Sequence, residues 1–394
     1  MTATIPPAQP FQPNRPCPLD GLRVLDFSRL VAGNMLTLQL ADFGAEVIKL
    51  EPASGDPLRA WREDGVAAYW KIYGRNKKSI RLDLRSADGK ALLARLIPTA
   101  DVLVESFRPG SMEAAGFGPQ EVARLNAKLV FVRISGFGQT GPYAQRPGFG
   151  SLVEAMSGFA SRNGFADKPP ALPNFALADM VSGIQGAFAT MVAVREAERP
   201  GGKGQVIDLS LLEPLYSTLG PEAAAWRITG SIPPRSGNRA SITAPRNVYQ
   251  TADNGWVALS ASTQAMTERL FRAIGREDML DDRRFRTNAD RLVHVDEVDA
   301  VVSAFIGARS LAENLAFFEA AEVTVGPVYD ASGFETDPHV QGRGVLVEME
   351  DAELGSIPMH AVIPRLSGTP GALRRPAPAL GQDEEAILAS LKAP

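Results

Sequence analysis

The feature that most constrains the fold is an alternation of strand-like and helix-like segments along the first 135 residues. Leu22–Phe27 and Ala45–Leu50 have the aliphatic and aromatic content of buried strands, and Asn34–Phe43 between them has a helical pattern that stops at Gly44. Further strand-like segments follow at Ser79–Leu84, Asp101–Phe107 and Leu129–Ser135. This alternation predicts an α/β fold with a mostly parallel sheet covered by helices on both faces.

The loops that follow these strands are the expected ligand site. In open parallel sheets, ligands bind beyond the carboxyl ends of the strands, which here means the loops after Phe27, Phe107 and Ser135. Arg29 and Arg108 lie in two of these loops. Because of that position, both are better candidates for binding an anion than an arbitrary surface arginine.

A basic cluster, Arg75-Asn76-Lys77-Lys78, precedes the strand that begins at Ser79. The ordinary interpretation of such a run is a solvated turn. The alternative is a site for a phosphate-bearing ligand, and the residues by themselves leave both interpretations open.

A glycine pattern after the strand that ends at Ser135 has the spacing of a dinucleotide-binding loop, with Gly136, Gly138 and Gly141 at its three positions. Pro142 follows at once, so no helix begins at the third glycine to receive a pyrophosphate. A dehydrogenase is therefore disfavoured. The loop remains a candidate source of backbone N–H groups for a developing oxyanion.

A long helical pattern runs from Met180 to about Glu198, and Asp179 is predicted to be its N-cap residue. Gly183 and Gly186 follow on the next turns and predict open space beside the carboxylate. Two interpretations stay open at this point: Asp179 is a structural cap, or it is a nucleophile, a role that carboxylates play in covalent catalysis.

The length of 394 residues exceeds the usual size of one hydrophobic core and predicts two domains. Residues 1–18 are proline-rich and predicted to be a flexible leader. A shift to Gly, Pro and Ser between Gly230 and Gly237 predicts an inter-domain linker. The apolar stretches, such as Gly183–Val194, are judged too short to span a bilayer, and no membrane helix is predicted.

Composition excludes several classes of function. The 41 Lys and Arg residues against 45 Asp and Glu give a net charge of −4, which provides no basic field for binding nucleic acid. The single cysteine, Cys17, excludes an intramolecular disulfide and fits a reducing, cytoplasmic location. The three histidines are far apart in sequence, so we expect neither a metal site nor a Ser-His-Asp triad.

The sequence resembles the class III CoA-transferase family, of CaiB/BaiF type, along nearly the whole chain. That family includes formyl-CoA:oxalate and carnitine CoA-transferases and, as a branch, the α-methylacyl-CoA racemases. The resemblance is carried by blocks that occur in the same order, namely Pro18–Phe27, Leu40–Lys49, Gly74–Ser79, Ser106–Gly110, Ser135–Pro142, Ala178-Asp179, Gly204–Asp208, Gly237–Arg239 and Asp337–His339.

The resemblance implies a Rossmann-like large domain with a mostly parallel sheet plus a smaller α+β domain. The implied ranges are 19–229 for the large domain, 230–330 for the linker and smaller domain, and 331–394 for a segment that returns to the large domain. It also implies a homodimer whose two subunits interlock like rings.

The resemblance further implies that Asp179 is the catalytic residue. In the family this aspartate attacks an acyl-CoA thioester, forms an acyl anhydride and then an aspartyl-CoA thioester, and passes CoA to an acceptor carboxylic acid. No tightly bound cofactor is implied, since coenzyme A is a substrate. The implied CoA-binding residues are Arg29, Val31, Ala32, Leu82, Ser106, Phe107 and Arg108. Arg75, Lys78 and Arg108 are the candidates for binding the CoA phosphates.

Two rival functions remain. In the family's racemases a histidine stands 30 residues before the aspartate, and here that position is Phe149, which cannot exchange a proton and is instead expected in the substrate pocket. This favours CoA transfer over 2-methylacyl-CoA racemisation, unless another base such as Glu154 replaces the histidine. The second rival is a non-catalytic acyl-CoA-binding relative in which Asp179 is only a cap.

Overall fold

The computed structural model describes residues 7–391, which form two compact units. The first unit comprises the residues up to Phe159, Leu172–Pro221 and the residues from Gln341 onward. The second unit comprises Ala160–Ala171 and Glu222–Val340. Both units are therefore discontinuous in sequence.

Residues Ala160–Ala171 belong to the second unit. The sequence prediction does not include this assignment, because it places all of 19–229 in the large domain. The cause is backbone pairing with a segment about seventy residues later in the chain. Phe165 forms a β-bridge with Ser236, and Gly237 donates its backbone N–H to the Gly164 carbonyl at 2.9 Å. Such pairing between residues distant in sequence leaves no periodic signal in a single chain.

The strands are β1 (Arg23–Phe27), β2 (Glu46–Glu51), β3 (Lys77–Arg81), β4 (Val102–Glu105), β5 (Val130–Ser135), β6 (Val206–Ser210), β7 (Arg246–Gln250), β8 (Trp256–Ser260), β9 (Val325–Pro327), β10 (Leu346–Asp351) and β11 (Gly355–His360). The helices up to residue 229 are α1 (Ala32–Asp42), α2 (Ala68–Tyr73), α3 (Ala87–Leu96), α4 (Ser111–Ala115), α5 (Pro119–Leu125), α6 (Gly150–Met156), α7 (Phe159–Arg162), α8 (Leu177–Ala197), α9 (Leu212–Ser217) and α10 (Glu222–Thr229). The later helices are α11 (Gln264–Ala273), α12 (Asp278–Asp281), α13 (Asn288–Val293), α14 (Val295–Gly307), α15 (Leu311–Ala320), α16 (Ala331–Thr336), α17 (Pro338–Gly342) and α18 (Glu384–Ser390).

The first unit is built on a six-stranded sheet in the order β3-β2-β1-β4-β5-β6, and every neighbouring pair is parallel. This finding confirms the predicted parallel sheet. The order is that of the doubly wound Rossmann fold, in which the direction of winding reverses between β1 and β4. The loops after those two strands therefore diverge and leave a crevice at the carboxyl edge of the sheet.

Helices cover both faces of this sheet. Alternate side chains of one strand point to opposite faces, so Val24 packs in the core under α1 and α8, whereas Leu25 packs in the core that includes Leu93 of α3. Ile387 of α18 joins this second core, so the end of the chain completes the first unit.

The second unit contains a three-stranded antiparallel sheet in the order β7-β8-β9. Its core combines Val257 and Leu259 of β8 with Phe271 of α11, Val302 of α14 and Phe318 of α15. The unit is accordingly of the α+β type, with helices packed against one small sheet.

Part of the proposed flexible leader is fixed in place. Gln9 donates its backbone N–H to the Glu348 carbonyl at 2.8 Å, and Gln12 donates to the Leu373 carbonyl at 2.8 Å. These bonds correct the prediction of a flexible leader for this stretch, because its backbone groups pair with the return segment. Residues 1–6 of the leader lie outside the described residues.

The prediction that every apolar stretch is too short to span a bilayer is wrong for helix α8. Among residues 7–391 it is the one single helix that is long and apolar enough to cross a membrane by length and composition, although 44% of its most apolar window is buried. The bent pair α14 and α15 passes the same test only as a pair, with a bend of 112°. The length and apolar composition of one helix are weak evidence for a membrane span, since helices in a protein core share both properties.

Candidate active site

The carboxyl edge of the sheet holds a cavity of about 430 Å³ at the crevice between the β1 and β4 loops. The loops after β5 and β6 and the first turn of α8 complete its wall. All of its lining residues belong to the first unit. Asp179 is the only acidic side chain among the described lining residues, and no histidine, lysine, cysteine or tyrosine accompanies it there.

Asp179 lies in the first turn of α8 and is not its N-cap. The helix begins at Leu177, and the cap position is occupied by Ala176, which makes no side-chain capping bond. The capping function belongs to Glu154 of α6, whose Oε1 accepts the backbone N–H of Ala178 at 3.1 Å. The prediction of Asp179 as a cap is therefore wrong, and its side chain remains directed to the cavity.

The surroundings of Asp179 raise its pKa to about 6. Burial is the largest cause, because removing water destabilises the charged carboxylate, and the neighbouring Glu154 carboxylate adds electrostatic repulsion. Backbone N–H groups of Ala32 and of Asp179 itself act in the opposite direction. Ala32 is the first residue of α1, so the carboxylate sits at the N-terminus of that helix.

The space around Asp179 depends on glycines that the sequence analysis interpreted differently. A Cβ at Gly183 would lie 2.7 Å from the Ala32 carbonyl oxygen, and one at Gly186 would lie 2.6 Å from a Leu36 methyl. These two glycines therefore allow α1 to pack closely on α8, and the prediction that they leave room for a substrate is wrong. Gly150 is the residue that makes room, because a Cβ there would collide with Asp179 Oδ2.

The loops after β1 and β4 are joined across the crevice. Arg29 donates its backbone N–H to Ser106 Oγ at 3.0 Å, and its guanidinium carbon lies 5.2 Å from the centre of the Phe107 ring. Arg29 and Phe107 also line a second cavity of about 590 Å³, which extends over the ends of β2 and β3. The pair consequently stands where the two cavities meet.

A buried ionic network supports the β1 loop. Leu30 has a φ of +61°, an unfavourable conformation for a residue with a Cβ, and its N–H donates to Asp56 Oδ1 at 3.0 Å. Lys49 Nζ lies 2.9 Å from Asp56 Oδ2 and 3.3 Å from Asp26 Oδ1. Because these charged groups are almost fully buried and mutually paired, they hold the loop that carries Arg29.

Most of the predicted site residues lie together at this edge. Those that line the first cavity are Arg29, Ala32, Ser106, Phe107, Arg108, Gly136 and Phe149. Leu82 lines the second cavity. Val31 is buried beside Leu58 and Trp70 and lines neither, so its contribution is to the packing under the loop.

Arg75 and Lys78 are corrected by the structure. The Arg75 side chain is fully buried and forms an ion pair with Asp42 at 2.6 Å, so its guanidinium is already engaged. Lys78 lies near the start of β3 and pairs with Glu46 at 2.6 Å, at the amino edge of the sheet. Neither residue lines either cavity at the carboxyl edge, and both are withdrawn as phosphate ligands.

Only one of the three glycines predicted to stabilise an oxyanion lies at the cavity of Asp179. The backbone N–H of Gly138 donates to Ser135 Oγ at 3.0 Å, and that of Gln139 donates to the Asp208 carboxylate at 2.9 Å. These donors hold the turn, and neither Gly138 nor Gly141 lines the cavity. Of the three predicted oxyanion positions, Gly136 alone is at the site, where its backbone passes so close to Gly148 that a Cβ has no room.

Three basic residues at the site escaped the sequence analysis. Arg146 lines the first cavity, and Arg85 and Lys90 line the second. Lys90 lies on α3, one turn after the Ser86 cap, and Arg85 directly precedes that cap. Their position at the carboxyl edge follows from the strand order, which a single sequence does not contain.

Comparison with known proteins identifies the family of the chain. The model of the CoA-transferase family III matches residues 19–384. The chain therefore belongs to the CoA-transferase family III.

Curated relatives and solved structures specify the class further. The chain is 39% identical over 380 residues to a succinyl-CoA–D-citramalate CoA-transferase of Chloroflexus aurantiacus, covering 95% of this chain and 94% of the relative. It is 36% identical to a succinate–glutarate CoA-transferase of Agrobacterium fabrum, covering 96% and 97%. A CaiB/BaiF family protein from Brucella suis superposes with a TM-score of 0.84 at 29% identity, covering 96% of this chain and all of that one. The protein is accordingly an enzyme that transfers CoA between an acyl-CoA and an acid.

Proposed function

We propose that Asp179 is the nucleophile of this CoA transfer. The observation that carries the proposal is its placement: a largely desolvated carboxylate is the only acidic side chain among the described lining residues of a cavity at the sheet's switch point. A carboxylate in that position attacks a thioester carbonyl without competition from a second acid or base.

The proposed reaction conserves the thioester energy. Asp179 Oδ bonds to the acyl carbon and the C–S bond breaks, which leaves an aspartyl-acyl anhydride and CoA thiolate. The thiolate then attacks the aspartyl carbonyl, releases the donor acid and forms an aspartyl-CoA thioester. An acceptor carboxylate displaces the thiolate in turn, and the thiolate attacks the acceptor's acyl carbon, which regenerates Asp179 and releases acceptor-CoA.

The raised pKa of Asp179 eases the first step. With an ordinary carboxyl pKa the leaving thiolate is more basic by between 4 and 5 units, whereas a pKa of about 6 leaves a gap of roughly 2.5 units, or about 3.4 kcal/mol. Backbone donors at the oxyanion are worth about 2.7–4 kcal/mol each, so one such donor covers the remainder. Gly136 lines the cavity and is the candidate that remains for this role.

We assign the CoA moiety to the two cavities together. The junction at Arg29 and Phe107 suits the pantetheine arm, since it connects the cavity of Asp179 with the larger one. Lys90 supplies positive charge in the larger cavity for the nucleotide phosphates, and Leu82 supplies an apolar wall. Arg85 lines the same cavity, but its guanidinium is paired with Asp83 at 3.0 Å, so we assign it no phosphate.

Racemisation is the weaker alternative. A racemase needs two proton-transferring groups on opposite sides of the α-carbon, and Asp179 has no such partner among the described residues of the cavity. Glu154 does not replace it, because this side chain is 2% exposed, bonds to the Ala178 N–H and does not line the cavity.

An experiment in D₂O separates the two functions. Succinyl-CoA, which appears in the names of several relatives, is incubated with glutarate, and 2-methylbutyryl-CoA is incubated alone. We expect glutaryl-CoA to form and no deuterium to enter the 2-methyl thioester. Deuterium incorporation at the α-carbon without CoA transfer would favour the racemase.

We further propose the homodimer that the resemblance implies. Ile184, Phe188 and Val192 recur every four residues on one side of α8, and each is more than half exposed. An apolar stripe of this kind favours burial against another surface. The molecular mass in solution tests the homodimer. The interlocked arrangement and the cytoplasmic location stay predictions.

A further inference from the structure

The cavity of Asp179 carries more positive charge than its own nucleophile requires. Arg29, Arg108 and Arg146 line it, and none of the three forms an ion pair with an acidic side chain of residues 7–391. Asp179 is the only acidic side chain that these residues contribute to the wall. A cavity with this charge balance favours ligands that bring at least one negative charge close to the reacting centre.

The three arginines differ in where they stand. Arg29 faces both cavities and is bonded to the β4 loop, and Arg108 follows Phe107 directly. Arg146 lines only the cavity of Asp179. The loop that carries it runs on to Gly150, where an added Cβ would meet Asp179 Oδ2. We therefore assign Arg146 to the acyl group rather than to the nucleotide of CoA.

The Arg146 guanidinium is already oriented. Its central carbon lies 3.6 Å from the centre of the Tyr143 ring, and Tyr143 packs edge-on against Phe137 at 5.8 Å. The backbone N–H of Arg146 donates to the Tyr143 carbonyl at 2.9 Å, which closes the turn. A guanidinium stacked on a ring keeps the N–H groups along its edges available, and those groups match the two oxygens of a carboxylate.

We infer that Arg146 binds a second carboxylate on the acyl group, so that the donors and acceptors of this enzyme are dicarboxylic acids. The inference rests on the proposed function, since the first carboxyl group of the same molecule is the one that reacts at Asp179. A second negative charge on the substrate would be repelled by Asp179 without a compensating cation in the same cavity. Arg146 supplies that cation in the cavity of Asp179, and it does not line the larger cavity assigned to the nucleotide.

The test uses exchange between each thioester and its own isotopically labelled acid. Succinyl-CoA with ¹³C-labelled succinate is compared with butyryl-CoA and labelled butyrate, which have the same number of carbons and lack the second carboxylate. Malonyl- and glutaryl-CoA, with their acids, extend the series to shorter and longer chains. Each pair is measured with the wild-type enzyme, with Arg146→Met and with Arg309→Met.

Arg309→Met is the matched control. Arg309 also stacks on an aromatic ring, at 3.8 Å from the centre of Phe305, but it belongs to the second unit and does not line the cavity. It reports any general effect of removing an arginine–ring contact, and we expect it to leave all exchange rates unchanged.

We expect the wild-type enzyme to prefer the dicarboxylic pairs. Arg146→Met should reduce kcat/KM for the preferred dicarboxylic pair by about 10- to 100-fold, the range for a lost charge-assisted contact, and leave butyryl exchange nearly unaltered. An equal loss for dicarboxylic and monocarboxylic pairs would overturn the inference and indicate contact with CoA itself. If the wild-type enzyme exchanged butyryl-CoA with butyrate as fast as it exchanged every dicarboxylic pair, the inference would also be overturned. That result would still support CoA transfer as the proposed function. Absence of exchange with any pair would contradict the proposed function as well.

Discussion

Replacing Asp179 by Asn is expected to stabilise the protein at neutral pH while it abolishes CoA transfer. The carboxyl pKa is raised from 3.8 to about 6, so the folded state binds a proton more tightly than the unfolded state does. Its contribution to stability is complete below about pH 4 and is lost as the pH rises to about 6. A shift of this size corresponds to about 3 kcal/mol of destabilisation at pH 7, which the uncharged amide avoids.

The assay is urea unfolding of wild type and Asp179→Asn at pH values from 4 to 8. The stability difference should be small at pH 4, grow through pH 6 and level off near pH 7. Asp167→Asn is the control, because the side chain of Asp167 is 75% exposed and its replacement should change little at any pH. Equal free energies of unfolding for Asp179→Asn and wild type at every pH would contradict the raised pKa of Asp179. They would mean that burial does not destabilise this carboxylate in the folded protein.

Three further substitutions test the charges and packing of the first unit. Glu154→Gln keeps an acceptor for the Ala178 N–H and removes the negative charge, so the acidic limb of the pH–rate profile should move to lower pH; an unmoved limb would deny the electrostatic coupling. Gly150→Ala places a Cβ on the Asp179 carboxylate and should reduce kcat about 100-fold in a folded protein, whereas Gly342→Ala, whose Cβ meets open space, should not. Lys77 has its pKa lowered to about 7 by burial, so stability should rise with pH between 7 and 10.5, and Lys77→Met should flatten that rise in urea titrations.

The local patterns of the sequence predict the first unit's elements well. Val24 and Leu25 are neighbours in β1, which is buried on both faces, so this segment has a nearly continuous apolar run. Helix α1 ends at Asp42, and Gly44, with a φ of +107°, follows its C-cap residue, as the glycine signal predicts. The sequence predicts Asp179 as the nucleophile because this residue lies in a block that resembles the family. Its position in the wall of the cavity supports that proposal.

Side-chain partners are what the sequence could not predict. Arg75 and Lys78 resemble a phosphate site as a string of charges, yet Asp42 and Glu46, each about thirty residues earlier, neutralise them. Arg146 is the opposite case, because no neighbouring residue in the sequence marks it as a site residue. The fold nevertheless places Arg146 and Asp179 in the wall of the same cavity. Partners of this kind depend on which segments the sheet places side by side, and local periodicity contains no information on that.

The most direct test of the account is the covalent state of Asp179 during turnover. The enzyme is mixed with succinyl-CoA without an acceptor, quenched in acid and digested, and a second sample is treated with hydroxylamine before digestion. The account predicts a CoA thioester on the peptide that contains Asp179, converted by hydroxylamine to a hydroxamate with release of CoA. Transfer activity with no adduct on that peptide, or an adduct on a different residue, would contradict it.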